Sequence, residues 1–95
     1  MEIINDLKNK LYPIFKNYNV KQAILFGSVA KNKATEKSDI DILVDSKLRG
    51  LSFFGLLEDI TNATGKEIDL IDVSQIEKGS QIEKEIRDTG VLIYG

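Results

Sequence analysis

Residues 25–44 read LFGSVAKNKATEKSDIDILV, and the way this stretch divides into two short strands and a polar loop decides how the chain folds. Residues 38–44 alternate polar and apolar, the period of a half-buried strand. Side chains alternate faces at a rise of about 3.3 Å per residue, so Asp39 and Asp41 share one face about 6.6 Å apart, while Ile40, Ile42 and Val44 turn to the core. Two carboxylates that near each other raise each other's pKa or require a cation between them, and an oxygen-only site with open positions suits Mg2+. The pair reads as a metal clamp. Upstream, the apolar run 23–26 stops at Gly27, where the missing Cβ lets the backbone of Gly27 and Ser28 approach a phosphate.

Before this stretch, residues 1–18 carry Ile3, Ile4, Leu7, Leu11, Ile14, Phe15 and Tyr18 at helical spacing, with Lys8, Lys10 and Lys16 outside the stripe. Pro13 deletes a helical hydrogen bond and crowds the carbonyl of Asn9, so a kink or two consecutive helical pieces are expected. Turn residues at 17–19 precede a first strand over 20–26, expected to be central because Ile24, Leu25 and Phe26 do not alternate. Residues 28–32 suit one helical turn with its amides aimed at a ligand. Lys31, Lys33 and Lys37 read as solvated loop residues.

After it, Ser52 is the expected cap of a helix to residue 64 that turns Phe53, Leu56, Leu57 and Ile60 inward and closes at Gly65. In a strand over 67–73, Ile68 and Leu70 share one face, leaving Asp69 on the other, where it joins Asp39 and Asp41 if the strands are neighbours. Asp72 is expected to mark the strand's end and stay solvated. SQIEK occurs at 74–78 and again at 80–84, too short a match to mean a repeat architecture. Ser80 and Glu83 form a capping-box pattern, predicting a last helix to about residue 88 with Ile82 and Ile86 inward, then a short strand over 91–94. The expected fold is α+β, a small mixed sheet of three to four strands covered by helices, in one domain over 1–95.

Composition narrows the chemistry. The chain of 95 residues has neither histidine nor cysteine, which excludes Ser-His-Asp and Cys-His mechanisms, disulfides and thiolate zinc sites. Carboxylates, Lys, Ser, Tyr and a hard metal remain. A net charge of -2 with the signs interspersed gives no footprint for direct nucleic-acid binding. No apolar run nears the ~20 residues that cross a bilayer, and with no signal peptide the cytoplasm is the expected location.

Gly27 and Ser28, ten intervening residues, then Asp39-x-Asp41, preceded by ILF and followed by ILVD, is a pattern that resembles the nucleotidyltransferase superfamily with the polymerase-beta-like fold. The size makes the chain similar to the minimal nucleotidyltransferases (MNT) paired with HEPN-type toxins. The resemblance implies an antitoxin that transfers AMP from ATP to a tyrosine hydroxyl of its HEPN toxin, with which it forms a hetero-oligomer. It further implies that Asp39 and Asp41 bind Mg2+, two ions in all, and that Asp69 completes the site and takes the proton of the attacking hydroxyl. Gly27 and Ser28 would hold the triphosphate. Where family members often carry Arg soon after the Gly-Ser pair, this chain has Val29, Ala30 and Lys31, a point charge without the bidentate fork. Two other readings stand beside this one: an antitoxin that only binds and occludes its partner, and transfer to a small molecule, which the lack of walls for a second substrate disfavours.

Overall fold

The computed structural model describes residues 2–31 and 39–95. Met1 of the expected first helix, and Asn32, Lys33, Lys37 and Ser38 of the expected turn, loop and strand start, lie outside the described residues. In chain order the elements are helix α1 (Glu2–Asn17), strand β1 (Gln22–Phe26), a single turn α2 (Gly27–Ala30), β2 (Ile40–Asp45), α3 (Leu51–Thr64), β3 (Ile68–Asp72), a 3-10 turn (Val73–Gln75), α4 (Gln81–Thr89) and β4 (Val91–Tyr94). The strands form one sheet in the order β3-β2-β1-β4. β1 runs antiparallel to both β2 and β4, and β2 is parallel to β3, so the sheet is mixed, as expected.

One face of the sheet carries the core. Ala23, Leu25, Ile40, Ile42, Val44 and Ile93 meet Leu7, Leu11 and Phe15 of α1 and Leu56 and Ile60 of α3. The apolar stripe of α1 works as the spacing predicts except at Ile3, which is 49% exposed. Pro13 does not divide the helix, which runs unbroken for 16 residues. Both Pro13 and Asn9 lie on its solvent side, where water can take the place of the lost bond to the Asn9 carbonyl. α3 begins two residues earlier than the Ser52 cap implies: Gly50 is the cap residue, at φ 59°, and no side chain caps the first turn. Gly65 closes α3 in the left-handed region, as its position suggests.

The opposite face is only partly covered. α4 packs on β1, and Ile86 lines a cavity of about 230 Å³ with Leu43, Val73, Ile76 and Glu83. Half of the expected capping box forms in its first turn: the Glu83 N–H donates to Ser80 Oγ, but Glu83 Oε1 accepts from the Gly79 N–H rather than that of Ser80, which donates to the Glu77 carbonyl. Ile82 differs from expectation. It is 38% exposed, while Ile86, one turn further on, is half-buried.

Asp72 also departs from expectation, being buried at the end of β3. Its carboxylate accepts hydrogen bonds from the Ser46 N–H at 3.1 Å, Ser46 Oγ at 2.7 Å, the Ser74 N–H at 3.0 Å and Ser74 Oγ at 2.7 Å. The Asp72 N–H in turn donates to Gln75 Oε1. Asp72 thus joins the segment leaving β2 to the turn leaving β3, a structural duty that satisfies an otherwise costly buried charge. Burial by itself would raise its pKa, but the bonds to Ser46 and Ser74 hold it below the usual carboxylate value. Asp72→Ala is therefore expected to cost about 2–4 kcal/mol in urea unfolding at pH 7, leaving four donors without their acceptor. A carboxyl with a lowered folded pKa stabilises above its unfolded pKa of about 3.9 and loses that effect as pH falls further, so the gap between wild type and variant should narrow at pH 3.

Candidate active site

The incompletely covered face holds the carboxylates. In the sheet register Phe26 lies opposite Asp41, and Asp41 opposite Asp69, so the end of β1 and the two acids form one row across three strands. Alternation sets their direction: Ile40 and Ile42 enter the core on either side of Asp41, and Ile68 and Leu70 pack toward it on either side of Asp69. Asp39 sits immediately before β2 rather than within it, and is exposed. The paired carboxylates of the structure are thus Asp41 and Asp69, on adjacent strands, with Asp39 at the entrance to the row.

The Asp41 carboxyl is pushed up to about 6. Burial is the main cause; the hydrogen bond it shares with Asp69 and the charge of Asp69 come next, followed by the charges of Asp39 and Glu85. A site that penalises its own negative charge in this way attracts a cation.

At the end of β1 the chain turns at Gly27, whose φ is +76°, directly into α2. A Cβ at this position would collide with Oδ2 of Asp41. Glycine is therefore required twice over, for the backbone angle and for the space, and the turn lies against the carboxylate row. Val29 is buried in the core and anchors α2, while Ser28 is only partly buried. The Lys31 N–H donates to the Gly27 carbonyl at 3.1 Å, closing the turn.

Among the described residues, no group of three or more carboxylates is already gathered around one point. The donors present nonetheless fit Mg2+, which is commonly held through one or two carboxylates together with substrate phosphates. On the β3 side a cleft of about 290 Å³ is lined by Asp39, Leu57, Thr61, Glu67, Ile68 and Asp69. Leu57, expected in the core, contributes to this cleft instead. A wider cleft of about 730 Å³ between α1 and β4, bordered by Tyr12, Lys21 and Tyr94, contains none of the three acids.

Two residues escaped the sequence reading. The buried role of Asp72 was hidden because Ser46, which completes its set of donors beside the local cap at Ser74, comes from the distant segment after β2. Glu85, whose charge reaches Asp41, sits within an ordinary charged helix, and only the packing of α4 against α2 brings it to the site.

A glycine turn without room for a side chain, set against hard oxygen donors on two neighbouring strands, can bring a phosphate and a divalent cation together. Residues 9–95 match the family described as Polymerase beta, Nucleotidyltransferase, and the chain belongs to that family. Two relatives from Methanocaldococcus jannaschii are named protein adenylyltransferases. One is 40% identical over 76 residues, covering 77% of this chain and 81% of its own. The other is 40% identical over 94 residues, covering 96% and 93%. Among solved structures, a toxin-antitoxin crystal structure with AMP-PNP superposes with a TM-score of 0.79 at 22% identity, over 93% of this chain and 73% of that one. A complex of tri-AMPylated Shewanella oneidensis HEPN toxin with MNT antitoxin gives a TM-score of 0.73 at 20% identity, over 97% and 72%. At these identities the likeness to the solved structures is one of fold.

Proposed function

We propose that this chain is an antitoxin that transfers AMP from ATP to a hydroxyl, that of a tyrosine, on a HEPN-type toxin with which it forms a complex. The observation that carries this reading is the row of Asp41 and Asp69 set against the Gly27 turn on an uncovered part of the sheet. The adenylyltransferase names of the relatives and the toxin-antitoxin complexes that share the fold support it. No helix of the described residues is long and apolar enough to cross a membrane, and we place the activity in the cytoplasm.

In this reading residues 1–95 act as one domain. The backbone of Gly27 and Ser28 receives the triphosphate, and Asp39, Asp41 and Asp69 hold Mg2+, with two ions as the full complement. When bound, the metal supplies neutralisation of the charge that develops on the transferring phosphoryl group. Asp69, beside the cleft that Leu57 and Ile68 make partly apolar, takes the proton of the acceptor hydroxyl. The acceptor oxygen then bonds to the α-phosphorus of ATP, and the bond to the pyrophosphate oxygen breaks. Holding both reactants in line accounts for much of the work such a reaction asks of a protein.

Asp69→Asn tests the assignment. Transfer of AMP to the co-purified toxin, read by mass spectrometry as the mass increment of AMP, is expected to slow about a hundredfold or more, with ATP affinity less affected. Asp72→Asn should keep its turnover per folded molecule. An inactive Asp72→Asn beside an active Asp69→Asn would overturn the assignment. A toxin neutralised without any added AMP would place the function in occlusion instead.

A further inference from the structure

We propose that Glu85 is a placeholder for a nucleotide phosphate, holding the Lys31 ammonium beside the Gly27 turn in the free protein and giving it up when a triphosphate arrives. The proposal rests on the nucleotidyl-transfer reading of the site. Lys31 is the residue that closes α2, and its backbone N–H is bonded to the carbonyl of Gly27 itself, so its side chain rises from the same turn that would receive the phosphates. Its Nζ lies 3.2 Å from Oε1 of Glu85. Glu85 belongs to α4, which packs against α2, and its charge is felt at Asp41. An anionic group thus stands close to the carboxylate row, on the side of the turn, and engages a cation there.

Energetics favour exchange. The two side chains are 38% and 32% exposed, and an ion pair so open to water holds only weakly. A triphosphate carries more charge and several acceptor oxygens, making it the stronger partner for an ammonium. Lysine suits the hand-over because its charge sits on a flexible stem and can swing between acceptors, whereas an arginine fork gripping Glu85 with two parallel bonds would be harder to release. After transfer, Glu85 is in place to reclaim Lys31 as pyrophosphate leaves.

Calorimetry with Mg2+ and ATP on the single variants and the double variant tests the proposal. Glu85→Gln is expected to bind ATP about two- to fivefold more tightly, the scale of an exposed ion pair no longer competing. Lys31→Met should bind it about tenfold more weakly, having lost a charge-assisted contact. In the Lys31→Met background the gain from Glu85→Gln should vanish, and AMP, which lacks the triphosphate tail, should not distinguish Glu85→Gln from wild type. Glu85→Asp, one methylene shorter, should fall between wild type and Glu85→Gln. The proposal is overturned if Glu85→Gln leaves ATP affinity unchanged or weakens it, or if the gain survives without Lys31, since general charge repulsion would then be the cause. An equal gain for AMP would overturn it too. A wild-type protein that binds no ATP at all would instead defeat the nucleotidyl-transfer reading beneath it.

Discussion

Asp41→Asn is expected to reduce AMP transfer on the order of 10³-fold, the scale of removing one group that organises transition-state charge, and at the same time to stabilise the protein in the absence of divalent metal. Both effects arise from the same placement. Asp41 lies in register with Asp69 and is pressed against the glycine turn, so its charge is costly until a cation shares it. Its carboxyl titrates near 6, above the ordinary value of 3.8. A folded pKa raised in this way means that the stability contributed by the protonated form is complete below the unfolded pKa of about 3.9 and is lost as pH rises through about 6. The thermal midpoint of Asp41→Asn should therefore exceed that of wild type at pH 7 and approach it as pH falls from 6 toward 4. Added Mg2+ should raise the wild-type midpoint and not that of the variant. A variant with normal turnover in Mg2+ would remove Asp41 from the chemistry.

Gly27→Val should be the most damaging change on the nucleotide side. A β-branched residue at a φ of +76° is strained by about 1–3 kcal/mol, and its Cβ would push into the Asp41 carboxylate. Nucleotide affinity should fall below calorimetric detection, because the turn must move away from the row it abuts. Ser28→Ala leaves that backbone in place and should lose only about 1 kcal/mol of binding, one hydrogen bond's worth. Equal and small losses in both variants would contradict a cradle built from backbone.

The parts of the architecture that were legible in the sequence are those fixed by local periodicity. The alternation of residues 38–44 identified β2 and its two faces, and the same rule turned Asp69 of β3 away from the core side taken by Ile68 and Leu70. Gly27 stood out because it interrupts an apolar run, and the structure gives that interruption a neighbour in Asp41. What could not be read depends on elements remote in sequence. Burying Asp72 is favourable only once Ser46, far from it in sequence, joins the local cap that Ser74 and Gln75 make around it, and Ser46 carries no local mark of that role. Glu85 becomes part of the site's surroundings through packing between α2 and α4. Asp39 illustrates the limit of periodicity itself, since alternation implies a strand through it and the ladder begins one residue later.

The arrangement of the sheet also constrains how the molecule comes together. β1 is hydrogen-bonded on one side to β2, which follows it closely, and on the other to β4, which lies near the opposite end of the sequence. Closing that second seam demands a loop spanning most of the chain, whose entropic cost must be met before its contacts give anything back. The seam also places β4 beside β1 directly after α4, so the helix that carries Glu85 is delivered to the site by the same long-range closure. Assembly of the nucleotide turn, the acid row and the guarding helix is thereby one cooperative event, and the site is complete only when β4 has docked on β1.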